Sequence, residues 1–132
     1  MGKGTEMAGY VLVVEDDLEM VALLRLMLSR RGFEVRAAVN GEQALEQART
    51  DPPVLVLLDV MLPDLDGYEV CRRLRKDPRT AGVPVVMLSA RAHTQYQAAG
   101  LEAGADAYLT KPVAMDNLVA QIHALVNNHR AA

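Results

Sequence analysis

The sequence has one cysteine, no tryptophan, one phenylalanine and only three lysines among its 14 basic residues: Lys3, Lys76 and Lys111. With Cys71 alone, an intramolecular disulfide is impossible and a cysteine-based metal site has no ligand set. No apolar run approaches the roughly 20 residues that a membrane-spanning helix needs; Val54–Leu58 is among the longest. Neither sign of charge dominates: 14 basic against 17 acidic residues gives a net charge of −3, which excludes a strongly basic nucleic-acid binder. The N-terminal MGKGTEMAG lacks the apolar stretch of an export signal. A cytoplasmic location is the default expectation. Gly2, Gly4 and Gly9 mark residues 1–9 as a flexible leader.

What is present is one domain's worth of chain. The 132 residues are 51% hydrophobic and 23% charged, enough apolar material for a core and too much for disorder. Apolar, β-rich runs alternate with helix-like segments. Strands are expected at Tyr10–Val14, Glu34–Val39, Val54–Leu58, Val83–Leu88 and Ala105–Leu109. Helices are expected at Leu18–Arg31, Gly41–Arg49, Tyr68–Lys76, Thr94–Ala103 and Met115–Asn128, with Asn40 as the N-cap of the second and Gly32 and Gly104 as stops. Strands apolar on both faces, each followed by a helix, predict a parallel sheet covered on both sides. The expected fold is α/β and doubly wound, a flavodoxin-like (βα)5 arrangement with strand order 2-1-3-4-5. The folded unit is expected over residues 10–129, with 130–132 as a tail.

Sites in such sheets form at the carboxyl ends of the strands. The first expected strand runs into Glu15-Asp16-Asp17, the third into Asp59, the fourth into Ser89 and the fifth into Thr110-Lys111-Pro112. Taken singly, each has a plainer reading. An aspartate after a strand is usually a loop residue or helix cap, and a lysine before proline is usually solvated surface. Their joint placement at four strand ends points elsewhere. Carboxylates Asp16, Asp17 and Asp59 offer oxygen ligands of the kind Mg²⁺ prefers. Asp59 can act as a carboxylate nucleophile on phosphorus, Lys111 can pair with a phosphoryl oxygen, and Ser89 can donate to another. Asp64 and Asp66, beside Pro63 and Gly67, are turn formers and not ligands.

The stretches VLVVEDD at 11–17, LLDVMLPDLDGYEV at 57–70, VVMLSARA at 85–92 and GLEAGADAYLTKP at 100–112 resemble the receiver (CheY-like) domain of two-component response regulators, over nearly the whole chain. The resemblance implies that Asp59 accepts a phosphoryl group from a histidine kinase or a histidine phosphotransfer protein. It implies Mg²⁺ held by Asp17, Asp59 and the backbone carbonyl of Met61, with Asp16 acting mostly through a water. It further implies a cis peptide at Lys111–Pro112, and a switch in which Ser89 moves toward the phosphoryl group and Tyr108 swings inward.

Several residues individualise the chain. Met61 and Arg91, two positions after Asp59 and Ser89, are neither acids nor amides, which predicts a long-lived phosphoryl group. The first helix is unusually apolar. Met20, Leu23, Leu24, Met27 and Leu28 are expected to face the core, leaving Leu18, Val21, Ala22 and Arg25 as a partner face for the phosphodonor. The resemblance also implies a dimer mode built on charged pairs, yet Ala107, Asn117 and Gln121 are uncharged, so a monomer or weak dimer is expected; Tyr96, Ala98 and Ala99 remain for another contact. No direct nucleic-acid or membrane contact is expected. The response is expected to pass through this domain's own surface to an effector protein, or through an output domain absent from this chain. Cys71 reads as core, and His93, His123 and His129 have no metal-ligand spacing. Two other readings compete. One is a pseudo-receiver that binds partners without phosphorylation. The other is an aspartyl-nucleophile hydrolase, which needs a second aspartate where Met61 stands.

Overall fold

The computed structural model describes residues 9–131, with residues 128–131 as backbone only. Residues 1–8 of the leader expected over residues 1–9, the side chain of His129 and the last residue of the expected tail lie outside the described residues. Five strands alternate with five helices: β1 Val11–Val14, α1 Leu18–Arg30, β2 Val35–Ala38, α2 Gly41–Thr50, β3 Leu55–Asp59, α3 Gly67–Lys76, β4 Val85–Ser89, α4 Thr94–Glu102, β5 Ala107–Thr110 and α5 Met115–Ala131. All pairings are parallel and the strand order is β2-β1-β3-β4-β5, as the alternation predicted. The last helix reaches Ala131, so residues 130 and 131 continue α5.

Side chains alternate across the strands, and each face of the sheet builds its own core. Leu12, Val14, Val56, Leu58, Val85 and Met87 pack under α2 and α3, with Ala44, Leu45, Val70, Cys71 and Leu74. Val11, Val13, Leu55, Leu57, Val86 and Leu88 pack under α1 and α5, with Leu24, Leu28, Leu118 and Ile122. Every residue of β1, β3 and β4 is buried. That accounts for the unbroken apolar runs in the sequence and fixes the carboxyl edge of the sheet as a rigid platform.

The helices are closed by the residues that local chemistry favours. Asn40 Oδ1 accepts from Gln43 N at 2.8 Å, the cap read from sequence. Asp66 Oδ1 accepts from Glu69 N at 2.9 Å, and Asp64 accepts from Gly41 N and Glu42 N at 2.7 and 2.9 Å, so both loop aspartates serve helix starts. Gly104 has φ +111° and ends α4, a conformation glycine adopts without steric cost. The rotation of α1 differs from the expected stripe. Its buried residues are Val21, Leu24 and Leu28, whereas Leu23 is 50% exposed. The helix starts at Leu18 as expected, but its sequence is apolar nearly all round, and packing of Leu24 and Leu28 against the sheet selects the face that is buried. Val21 is therefore corrected from partner surface to core; Leu18, Ala22 and Arg25 are exposed as expected.

Candidate functional site

The carboxyl edge of the sheet gathers the predicted groups with one change of member. β1 hands on to Glu15, which is almost fully buried, and its backbone N–H is tied to Ala38 O at 3.0 Å. Asp59 closes β3 and is also buried, while Asp16 is exposed. Among the described residues, Glu15, Asp16 and Asp59 each offer a carboxylate oxygen, and these oxygens lie within 4.8 Å of one another.

Asp17, expected in this set, is the N-cap of α1. Its Oδ1 accepts from Glu19 N at 3.0 Å and Met20 N at 3.4 Å. The acidic trio of the sequence is thus shared between two duties. The residue directly before a helix is claimed by that helix's unpaired amides, which pushes the metal-type pair back to Glu15 and Asp16. Asp17 placed immediately before Leu18 was the signal that distinguishes the two registers.

Lys111, from the loop after β5, enters the same space. Its Nζ lies 3.0 Å from Glu15 Oε1 and 3.5 Å from Asp59 Oδ2. Burial pushes the Glu15 carboxyl up from its ordinary value; the Asp59 charge adds to this and the Lys111 hydrogen bond opposes it. Burial works against the Lys111 ammonium, but the Glu15 hydrogen bond and the Asp59 charge outweigh it and raise its pKa. Three carboxylates against one ammonium leave two formal negative charges uncompensated. Hard oxygen donors, two buried and one facing solvent, suit a small divalent cation that keeps some of its water.

The Lys111–Pro112 peptide is cis, as the resemblance implied. Lys111 N donates to Ser89 O at 2.8 Å, which locks the ends of β4 and β5 together. Ser89 is fully buried, and its Oγ accepts from Arg91 N at 3.0 Å. Met61, exposed in the loop after β3, donates its N–H to Asp59 Oδ1 at 3.2 Å. Tyr108, half-buried on β5, packs against the core below α4 and donates its hydroxyl to Arg91 O at 2.9 Å. Gly100 permits this: a Cβ there would meet the Tyr108 ring at 2.8 Å and Met87 Sδ at 2.9 Å.

Beside Lys111 a groove of about 400 Å³ runs along α1, lined by Met20, Leu23, Lys111, Pro112, Val113 and Met115. Lys111, which lines this groove, also pairs with Glu15 of the acidic cluster, and Leu18 and Leu26 of α1 are exposed as well. The other sequence candidates have structural roles. Cys71 is buried, which pushes its thiol up and away from the reactive thiolate form. His123 packs at 5.1 Å on Phe33.

A parallel β2-β1-β3-β4-β5 sheet with buried acids and a lysine at one edge defines a receiver fold, and comparison with known proteins agrees. Residues 11–123 match the family model of the response regulator receiver domain. The transcriptional regulatory protein CseB of Streptomyces coelicolor is 50% identical over 89% of the chain and 49% of its own length. The alkaline phosphatase synthesis transcriptional regulatory protein PhoP of Bacillus subtilis is 42% identical over 92% of the chain and 50% of its own length. A crystal structure of a response regulator from Chloroflexus aurantiacus superposes with a TM-score of 0.87 at 38% identity, covering 92% of this chain and 99% of that one. The chain belongs to the response regulator receiver domain family. It spans about half the length of the curated relatives it matches.

Proposed function

We propose that this chain is a Mg²⁺-dependent, phosphorylation-activated switch with Asp59 as its phosphoacceptor. The observation that carries the reading is the meeting of Glu15, Asp16, Asp59 and Lys111 at one strand edge, with Lys111 3.5 Å from the Asp59 carboxylate. A carboxylate oxygen of Asp59 attacks phosphorus; the new O–P bond forms as the bond to the donor's nitrogen or acyl oxygen breaks, and the leaving group departs with that electron pair. The transition state needs in-line positioning and neutralisation of charge on the peripheral oxygens. Lys111 supplies a point charge there, and Ser89, buried beside it, has a hydroxyl to donate. Glu15, Asp16 and Asp59, with the Met61 carbonyl, would hold Mg²⁺, which when bound offsets the negative charge of the acids and of the incoming phosphoryl group. The added charge, near −2, draws on Ser89 and, through the β4–α4 loop, on Tyr108 and the surface of α4.

The donor is a histidine kinase or a histidine phosphotransfer protein, and the apolar face of α1 at Leu18 and Ala22, with the adjoining groove, is its docking surface. The recipient of the signal is an effector protein or an output domain of the longer regulator. The reading places the protein in the cytoplasm, acting as a switch and not as a turnover enzyme. Among the described residues no helix is long and apolar enough to cross a membrane.

Incubation with Mg²⁺ and a small acyl phosphate, followed by intact-mass measurement, tests the reading. One phosphoryl group is expected on the wild type and none on Asp59→Asn. No mass gain on the wild type would favour a pseudo-receiver, and rapid multiple turnover a hydrolase. Ala22→Asp is expected to slow transfer from a protein donor and to spare the small acyl phosphate. Met61→Asn, by placing an amide that can hold water, is expected to shorten the life of the phosphorylated state.

A further inference from the structure

α4 is held by little. Among its residues only Gly100 is buried, its N-cap His93 makes no side-chain cap bond, and it has no acid in its first turn or base in its last. The groups that do reach it come from three directions. Tyr108 of β5 donates to Arg91 O at 2.9 Å, in the loop that leads into α4. The Arg91 guanidinium lies 5.0 Å over the Tyr96 ring in the first turn of α4. Tyr68, from the first turn of α3, is buried and directs its hydroxyl to Tyr96 O at 3.4 Å. Burial raises the Tyr68 phenol, the nearby Tyr108 phenol adds to this, and Arg91 opposes them.

Tyr68 is also tied to the phosphoacceptor side. The preceding residue, Gly67, donates its N–H to Val60 O at 2.7 Å. A Cβ on Gly67 would stand 2.7 Å from Val60 Cα and 2.8 Å from Asp59 O, so the start of α3 rests directly on the backbone of Asp59 and its successor. A shift of that backbone moves Gly67, and Tyr68 with it.

We propose that Tyr68 is a positioning residue that couples the Asp59 loop to α4, acting with Tyr108 as a second hydroxyl tether. This path runs through α3 and is separate from the one through Ser89. Its meaning for signalling rests on the switch reading above; its structural content does not.

Amide hydrogen exchange in the unphosphorylated protein tests it. Tyr68→Phe keeps the ring and removes only the hydroxyl. Loss of one net hydrogen bond, about 1 kcal/mol, is expected to speed exchange of the α4 amides about fivefold. The amides of β1, β3 and α3 are expected to hold their rates. In a cycle with Tyr108→Phe, the two effects on α4 are expected to be non-additive, as for groups in one network. Unchanged α4 exchange in Tyr68→Phe overturns the proposal. So do purely additive effects, and so does a uniform acceleration of all amides with a lower melting temperature. A second measurement adds Mg²⁺ and beryllofluoride as a phosphoryl mimic and follows α4 amide shifts. The change seen in the wild type is expected to fall by half or more in Tyr68→Phe, and a change of undiminished size also overturns the coupling. A wild type whose Asp59 accepts no phosphoryl group would sink the switch reading while leaving the exchange test intact.

Discussion

The Lys111 ammonium stands closer to Glu15, at 3.0 Å, than to Asp59, at 3.5 Å. Glu15 therefore does two things: it completes the acidic trio and it positions the lysine over the phosphoacceptor. Glu15→Gln is expected to weaken Mg²⁺ binding about tenfold or more and to leave Lys111 paired with Asp59 alone. Asp17→Ala separates the cap from the cluster. It is expected to cost about 1 kcal/mol of stability and to leave Mg²⁺ binding unchanged. Calorimetric titration with Mg²⁺ and urea denaturation of the two variants check both outcomes.

Gly67 sits where a side chain has no room, with Val60 Cα and Asp59 O at 2.7 and 2.8 Å from a built Cβ. Both neighbours are backbone and cannot rotate away. Gly67→Ala is expected to destabilise the fold by about 1–3 kcal/mol and to slow phosphorylation of Asp59 by displacing its loop. Gly82→Ala is the control, since a Cβ there meets nothing within 4 Å. Thermal melts and the rate of acyl-phosphate labelling distinguish them.

Arg75 staples the opposite edge of the sheet. Its guanidinium donates to Gly104 O at 3.0 and 2.7 Å, to Ala81 O at 3.1 Å, to Val83 O at 2.6 Å and to Asp106 Oδ2 at 2.9 Å. Asp106 in turn accepts from Val85 N at 2.8 Å. Arg75→Ala strands several carbonyls and one carboxylate, and about 3 kcal/mol of stability is expected to be lost. The chemistry at Asp59 lies at the other end of the strands, so the folded fraction is expected to label normally. A variant that denatures at the wild-type urea midpoint contradicts this.

Asp77 is paired with Arg79 at 2.8 Å and Arg49 at 3.2 Å. Arg79's side-chain and backbone N–H bonds, together with the two guanidinium charges, hold its carboxyl down at about 2 against an ordinary 3.8. A depressed acid contributes stability that is present above its unfolded pKa and is lost as pH falls through the folded one. Asp77→Asn is expected to be less stable than the wild type at neutral pH. The difference is expected to close between pH 3.8 and about 2. Denaturation midpoints across that window check the sign.

The sequence by itself determined the architecture and most of the site. Unbroken apolar runs such as VLVLL reveal strands buried on both faces, because only a sheet covered on both sides hides every side chain. The alternation with helices then leaves one winding, and strand ends carry Asp59, Ser89 and Lys111 to a common edge. Tertiary structure decided three things. It gave Glu15 the place expected for Asp17, because the amides opening α1 claim the nearest carboxylate. It turned Val21 inward, because several registers of an all-apolar helix satisfy the pattern and only packing against the sheet selects one. It set the Tyr68 hydroxyl against Tyr96 O of α4 and the Tyr108 hydroxyl against Arg91 O in the loop before it, and Arg75 onto four separate acceptors. Most of those contacts join residues 17 to 31 positions apart along the chain, and neither periodicity nor local spacing carries information about which distant groups the fold will set side by side.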